Sequence, residues 1–189
     1  MSMLRPALVT FAGLTVLSGI AYPLAVTGAA NLCFPRRAQG SLLIQDGQVR
    51  GSALIGQHTE EPRYFWGRLS ATAGFATNAD ASGGSNLSAA NPALRAAAET
   101  RVRALRAADP GNADPVPLDL VTASASGLDP HISPQAASYQ AARVARARNL
   151  PRASVLELVA GCTEARQWGV FGEPRVNVLK LNLALDALH

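Results

Sequence analysis

Residues 6–35 read PALVTFAGLTVLSGIAYPLAVTGAANLCFP and contain no charged side chain. The most apolar part of this stretch runs from Ala7 to Ala30. Because an α-helix rises about 1.5 Å per residue, this part covers roughly 30 Å, the hydrocarbon thickness of a bilayer. A charged group at that depth would be costly, and none is present. The stretch therefore predicts one transmembrane helix, from Ala7 to Ala30.

A secretory signal and a buried helix are the two alternatives to a transmembrane helix. A cleaved signal would fit Arg5 and the small residues 27–30, but its apolar core is normally only ~7–15 residues long. A buried helix of a soluble protein would need a large core, because this helix is apolar on all sides. The charges do not settle the orientation, since Arg5 and the terminal amine precede the span and Arg36 and Arg37 follow it.

Composition limits what the rest of the chain can be. About 150 residues follow the span, enough for one globular domain with its own core. The net charge of +4 is spread along the sequence, without a dense basic tract, so a nucleic-acid partner is not expected. The three histidines are far apart and no CxxC or HxxxH spacing occurs, so no metal site is predicted. A disulfide between Cys33 and Cys162 is left open.

Helices and strands intermix in the predicted domain. Asp46-Gly47 suits the tight turn of a hairpin within residues 41–55. Asn91 and Ser133, each followed by proline, are typical helix starts. Further elements are predicted as a half-buried extended segment at Tyr64–Trp66, a strand at Leu118–Thr122, a helix at Val155–Cys162, an extended segment at Arg175–Val178 and a final helix within Leu179–Leu188. The predicted fold class is thus α+β: a transmembrane helix with its flanks (residues 1–35) and one mixed soluble domain (residues 36–189).

Motifs of stand-alone enzymes are missing from this sequence. The only lysine, Lys180, lacks the preceding glycines of a phosphate-binding GxxxxGK[ST] loop. Neither a GxSxG elbow nor a Ser-x-x-Lys pair occurs, and the carboxylates are scattered among loops. We therefore predict no catalytic residue and no enzyme activity of the chain by itself.

Two loops rich in serine and glycine are candidate binding surfaces. The first, the Ser82 loop, offers backbone N–H groups and hydroxyls that suit an anion, although a simple flexible turn has the same composition. The second, the Ser124 loop, is stiffened by Pro130 and suits docking to another protein or a structural role equally well. The candidate residues are Ser82, Gly83, Gly84, Ser85 and Asn86 in the first loop, and Ser124, Ser126, Gly127 and Asp129 in the second.

Gln140 is a polar residue on the apolar stripe of its predicted helix. It lies three residues after Ala137 and four before Val144, which places all three on one face. A buried amide without partners costs about 1–3 kcal/mol, so it must be bonded. Two hypotheses follow: Gln140 holds a neighbouring segment of its own chain, or it faces a ligand or another subunit.

A set of short motifs follows a fixed order along nearly the whole chain. The motifs are Leu4–Ala7, Val49–Gln57, Tyr64–Arg68, Ala81–Leu87 with Asn91-Pro92, Leu120–Pro130, Gln140 with Arg143–Ala145 and Ala147-Arg148, Val176–Leu179 and Leu181–Asp186. This ordered set resembles the C subunit of the Kdp potassium-transporting ATPase family. Two departures are visible: Leu69 stands where the family commonly has proline, and residues 58–63 are idiosyncratic.

The resemblance implies a non-catalytic, single-pass subunit of a potassium pump in the bacterial cytoplasmic (inner) membrane. Its implied partners are membrane lipid, a channel-like potassium-translocating subunit, an ATP-hydrolysing P-type subunit and a small hydrophobic peptide. Potassium would be the transported ion. The family is described as a catalytic chaperone that raises the ATP affinity of the hydrolysing subunit, and Gln140 matches the glutamine linked to nucleotide.

The family topology raises a conflict with that role. It implies a cytoplasmic N-terminus and an extracytoplasmic domain, on a side of the membrane where ATP is scarce. Two hypotheses therefore stand: the domain helps to bind ATP through Gln140 and the two loops, or it is an assembly and entrance module over the potassium-translocating subunit. A third, an anchored binding protein unrelated to transport, is also open.

Overall fold

The structure, a computed structural model, describes residues 3–188 and divides the chain into two units, Met1–Leu42 and Leu43–His189. The first unit is helical. It contains α1 (Leu4–Val16), one turn of π-helix (Leu17–Ala21), α2 (Tyr22–Cys33) and the short α3 (Pro35–Ala38). The first three of these form one continuous helix, Leu4–Cys33, with a mean hydropathy of 1.7 over its most apolar window. The predicted apolar helix is confirmed, and it is long enough to cross a membrane.

The π-turn lies just before Pro23, the proline in the second half of this helix. Pro23 has no N–H, so the carbonyl of Gly19 loses its usual helical partner. Wider turns and hydroxyl side chains are the common local adjustments to such a loss, and Ser18 Oγ donates to the carbonyl of Leu14 at 2.6 Å. The helix therefore continues through Pro23 without ending.

The second unit begins with the predicted hairpin. Strands β1 (Leu42–Gln45) and β2 (Gln48–Ser52) pair around Asp46 and Gly47, whose φ angles are +53° and +72°. Two positive φ angles in a two-residue loop are the signature of a type I′ turn. The hairpin prediction is confirmed.

Four longer helices follow in this unit: α4 (Pro92–Ala108), α5 (Pro134–Arg148), α6 (Arg152–Gly161) and α7 (Val178–Asp186). The side chains of Asn91 and Ser133 accept hydrogen bonds from the N–H groups of Ala93 and Ala136, as their positions before proline predicted. Asn177 caps α7 in the same way by accepting from the N–H of Lys180. All four helices were predicted.

A small antiparallel sheet completes the unit. It consists of β3 (His131–Ile132), β4 (Thr163–Glu164) and β5 (Arg175–Asn177), in the order β3-β5-β4. Val176 at its centre pairs with both Ile132 and Thr163. The extended segment predicted before the last helix is thus the central strand.

The strand predicted at Leu118–Thr122 is wrong. Residues Leu118–Leu120 form a turn of 3-10 helix instead. The N–H groups of Val121 and Thr122, and the hydroxyl of Thr122, all donate to the carbonyl of Leu118. These local bonds occupy groups that a strand would offer to a neighbour.

The core of this unit forms around α5. The helix presents a face of small residues, Ala136, Ala137, Ala141 and Val144, which are all fully buried. Small side chains allow the neighbouring elements to approach closely. The larger core residues packed around this face are Phe65, Leu105, Leu120, Val155, Val176, Leu181 and Leu185.

Candidate functional site

Gln140 lies on α5 and is only 1% exposed. Its Oε1 accepts from the N–H of Trp66 at 2.8 Å and from Nη2 of Arg143 at 2.7 Å. Its Nε2 donates to the carbonyls of Trp66 at 3.1 Å and Ala136 at 3.3 Å. The amide therefore holds a neighbouring segment of its own chain, which is the first of the two hypotheses. In this arrangement its polar atoms face protein groups, and a direct contact with nucleotide stays a prediction.

The segment that Gln140 holds, Tyr64–Trp66, has no regular secondary structure. Asn182 on α7 bonds the backbone of Phe65 in the same way. It accepts from the Phe65 N–H at 2.9 Å and donates to the Phe65 carbonyl at 3.0 Å. Each amide thus supplies the pair of hydrogen bonds that a neighbouring strand would provide. Buried backbone groups need such partners, and here side chains supply them.

Arginine side chains form cation–π contacts with the rings of the same segment. The guanidinium carbons of Arg101 and Arg143 lie 5.0 Å and 4.5 Å from the centre of the Trp66 ring. Arg148 lies 4.9 Å from the centre of the Tyr64 ring. Desolvated cation–π contacts of this kind are stabilising. The segment was predicted to be half-buried, which holds for Tyr64, whereas Phe65 and Trp66 are buried.

Two of these arginines are themselves buried. Burial lowers the pKa of Arg143 to about 10, and burial also lowers the pKa of Arg101. Arg143 therefore keeps its charge at neutral pH, and Nη1 donates to the carbonyl of Pro62 at 2.5 Å. A buried charge is tolerated only when it is hydrogen-bonded or paired. For Arg143, Pro62 and Gln140 supply the acceptors and Trp66 supplies the ring face.

The Ser82 loop and the Ser124 loop, predicted separately, lie against each other. Ser82 Oγ and the N–H of Gly83 both donate to the carbonyl of Ser126, at 3.0 Å and 2.9 Å. A Cβ added to Gly84 would lie 2.8 Å from the carbonyl oxygen of Ala125. Gly127 has φ +70°, and a Cβ there would lie 2.5 Å from Cγ2 of Thr72. Glycine is therefore required where the two loops touch.

Many backbone donors of these paired loops are already used. The N–H of Ser124 donates to Leu69, that of Gly127 to Ser124, and that of Leu128 to the hydroxyl of Ser126. The side chains of Ser82, Ser85, Asn86 and Ser126 remain exposed. The structure brings the two loops together as a braced polar surface, although Ser124 and Gly127 themselves are buried. Whether this surface binds an anion stays a prediction.

Asp129 connects the Ser124 loop to its surroundings. Its carboxylate accepts from Nη1 of Arg68 and from the N–H of His131, both at 3.0 Å, and lies 3.2 Å from Nδ1 of His131. Burial alone would raise the pKa of Asp129, but the bonds from His131 and Arg68 outweigh it and lower the pKa to about 2. The carboxylate is therefore ionised at neutral pH and neutralised by its own domain.

A cavity of about 650 Å³ lies between the hairpin and α7. Its polar lining includes Arg50, His58, Tyr64 and Asp186, but none of the predicted site residues. Asp186 is bonded to Arg148 at 2.5 Å and to the hydroxyl of Tyr64 at 3.1 Å. Within residues 3–188 no group of three His, Cys, Asp or Glu side chains is placed to hold a metal ion. Cys33 and Cys162 are both free thiols.

Comparison with known proteins decides the family. Residues 4–187 match the family described as "K+-transporting ATPase, c chain", KdpC. The chain belongs to the KdpC family. It is 66% identical over 187 residues to the "Potassium-transporting ATPase KdpC subunit" of Polaromonas naphthalenivorans, covering 99% of this chain and 95% of the relative. The proteins of the same name from Variovorax paradoxus and Methylococcus capsulatus are 65% and 64% identical, each over 98% of this chain and 96% and 97% of theirs.

Family membership confirms the resemblance and the coarse function. This KdpC protein is an accessory, non-catalytic subunit of a potassium-transporting ATPase, which is a membrane transporter. Sequence reasoning singled out Gln140 but missed Asn182, which performs the same task on Phe65. The sequence contained a signal for this role, because Asn182 is a polar residue between two apolar ones, Leu181 and Leu183.

Proposed function

We propose that this chain is a membrane-anchored assembly and entrance module of the pump. In this proposal the helix Leu4–Cys33 crosses the cytoplasmic membrane with the N-terminus inside. The soluble domain lies outside, against the channel-like potassium-translocating subunit. The observation that carries the proposal is the closed bonding of Gln140, which makes this residue part of a rigid body rather than a group aimed at a ligand.

The proposed location of the domain supports the same role. A domain outside the cell meets potassium before the channel does, whereas cytosolic ATP does not reach it. Selectivity for potassium normally comes from rings of backbone carbonyls in the channel itself. The domain's contribution is then to hold the complex together and to shape the entrance with a preformed surface.

The second candidate function is that of a catalytic chaperone, which raises the ATP affinity of the P-type subunit. The observation in its favour is that Ser82, Ser85, Asn86 and Ser126 are exposed on loops that contact each other. Hydroxyl and amide groups suit phosphate oxygens. For Gln140 to take part as well, it would have to release Trp66.

Labelling in intact cells tests the proposed side of the membrane. Single cysteines at the exposed positions Asp46 and Glu157, with Cys33 and Cys162 replaced by serine, are treated with a membrane-impermeant maleimide. We expect both positions to react without lysis. Reaction only after lysis would place the domain in the cytoplasm and would overturn the entrance role.

ATP titration of the assembled pump separates the two candidate functions. The variant Gln140→Ala is compared with Gln135→Ala, an exposed glutamine on the same helix. We expect Gln140→Ala to lower the amount of assembled pump without changing the apparent KM for ATP of the pump that does assemble. A severalfold rise of KM in intact Gln140→Ala complexes, but not in Gln135→Ala, would favour the catalytic chaperone instead.

A further inference from the structure

A tight turn near the C-terminus carries the most exposed large apolar side chain of residues 43–188. This side chain is Trp168, which is 91% exposed, and Val170 and Phe171 beside it are 71% and 60% exposed. We call residues 168–171 the aromatic tip. Isolated apolar residues on a surface are ordinary, but three within four positions form a patch that calls for a partner.

The aromatic tip is held in one conformation. Gln167 and Phe171 exchange two backbone hydrogen bonds of 2.9 Å each. The rings of Trp168 and Phe171 pack edge to face, with their centres 5.9 Å apart. At the base of the turn Nη2 of Arg166 donates to both carboxylate oxygens of Glu173, at 2.7 Å and 2.6 Å. A preformed tip loses little conformational freedom when it binds.

The backbone at the tip is unusual for these residues. Trp168 has φ +53° and Gly169 has φ +75°. Glycine and asparagine accept this left-handed conformation easily, whereas a bulky side chain is strained in it. Trp168 gains no burial within its own domain in return. Strain of this kind, held in place by the surrounding structure, is typical of positions that serve binding.

We propose that the aromatic tip inserts into an uncharged, apolar pocket on another protein subunit of the pump. This inference rests on the proposed function, because it gives the assembly module its point of contact. The charge of the tip favours protein over an anionic lipid surface, because the cation at its base, Arg166, is neutralised by Glu173. Attachment to an anionic membrane surface normally uses free lysines or arginines.

The chemistry of the tip also fits a protein pocket. Tryptophan is enriched among the few residues that dominate protein interfaces, where it fills a desolvated pocket. The tip is too small to form a stable interface alone. A chain already held in the membrane by its helix needs only such an added contact, because anchoring raises its effective concentration near the partner.

Quenching of tryptophan fluorescence tests the contact directly. The chain has two tryptophans, and Trp66 is buried, so Trp168 accounts for the difference between the wild type and Trp168→Phe. Acrylamide quenching of this difference signal is measured for the free full-length chain in detergent and for the assembled pump. We expect at least a threefold lower quenching constant in the pump. An unchanged constant would overturn the proposal.

Lipid contact is separated from protein contact in the same preparation. The pump is reconstituted into vesicles of phosphatidylcholine with or without brominated acyl chains. If the tip lies in a protein pocket, bromine leaves the Trp168 signal unchanged. Strong quenching by bromine would show that the tip enters the membrane, and the proposal would be wrong.

Crosslinking identifies the partner surface. The photoreactive residue p-benzoylphenylalanine is incorporated at position 168, and at the exposed position 157 as a control. We expect a crosslink from position 168 to another pump subunit at least fivefold stronger than from position 157. If the wild-type chain does not co-purify with any pump subunit, the proposed function itself fails. If it co-purifies but position 168 yields no crosslink, only the role of the aromatic tip is overturned.

Discussion

The two tryptophans of this chain show how different two similar sequence motifs become after folding. Each is followed by glycine and lies in a short aromatic cluster, Tyr64–Trp66 in one case and Trp168–Phe171 in the other. Trp66 is 4% exposed, its backbone is bonded by Gln140, and two guanidinium groups lie over its ring. Trp168 projects into solvent from a strained turn.

The two clusters differ in where their backbone groups find hydrogen-bond partners. The first cluster has no strand neighbour, and α5 and α7 replace one with amide and guanidinium side chains. The second cluster satisfies its own backbone in a closed turn and leaves its rings, which pack against each other, exposed to solvent. We infer that the first cluster serves the stability of the domain and the second serves assembly of the pump, so substitutions in the two should have separable effects.

The largest expected difference between the two clusters comes from truncating each tryptophan in turn. Trp66→Ala removes a buried ring and the π face for Arg101 and Arg143, and it should lower the free energy of unfolding by about 4 kcal/mol. Trp168→Ala should change it by less than about 0.5 kcal/mol, because the ring is exposed. Urea unfolding of the full-length chain in detergent, followed by circular dichroism, measures both. Equal losses would abolish the distinction between the two clusters.

The next effect tests the bond that fixes Trp66. Gln140→Ala leaves the N–H and carbonyl of Trp66, and one donor of Arg143, without their partner in a buried place. Each unpaired group costs about 1–3 kcal/mol, partly relieved by relaxation, so we expect a loss of about 3 kcal/mol. Gln135→Ala on the exposed side of α5 is the matched control and should be nearly neutral. A neutral Gln140→Ala would mean that other groups hold the aromatic segment.

A third substitution probes the contact between the Ser82 loop and the Ser124 loop. Gly127→Ala forces an alanine into a left-handed backbone and its Cβ into Thr72 and the carbonyl of Gly83. We expect a loss of about 2 kcal/mol. Gly111→Ala is the control, since a Cβ there meets nothing within 4 Å and its φ is not in that range. Thermal unfolding of the two variants should differ clearly, and identical melting curves would show that the loops tolerate separation.

The sequence predicted those features of the fold that depend on neighbouring residues. Asp46-Gly47, Asn91-Pro92 and Ser133-Pro134 encode a turn and two helix starts within a few positions, and all three are confirmed. Strands β3 and β4 were missed because two residues cannot show a period of two. Leu118–Leu120 was mistaken for a strand because its apolar character does not reveal the local bonds to the carbonyl of Leu118.

The site depends on pairings between distant residues, so less of it could be predicted. Gln140 was recognised as a polar residue on an apolar stripe, but its partner Trp66 is 74 positions away. Nor does spacing within either loop reveal that Ser82 and Ser126 bond to each other. The exposure of Trp168 could not be predicted from the sequence either, because the residues around it resemble those around Trp66.

The smallest expected effect concerns two ion pairs, one near each tryptophan in the sequence. Arg68, which pairs with Asp129, follows Trp66, and Arg166, which pairs with Glu173, precedes Trp168. The pKa of Asp129 is lowered in the folded state to about 2, so folding favours its ionised form. The stability that this provides is complete above the ordinary carboxyl pKa near 3.8 and is lost as the pH falls towards 2. Because the carboxylate is partly exposed, screening reduces the contribution to about 1 kcal/mol.

Urea midpoints measured from pH 6 to pH 2 check this contribution. The wild type should lose about 1 kcal/mol more than Asp129→Asn over the acid part of this range, since the variant has no carboxylate to protonate. Glu173→Gln is the matched control, because its exposed pair with Arg166 should be worth no more than about 0.5 kcal/mol. Parallel pH profiles for the wild type and Asp129→Asn would show that Arg68 and His131 do not stabilise the carboxylate. The bracing of the Ser124 loop would then depend on Gly127 and on the hydrogen bonds of Ser82, Gly83 and Ser126.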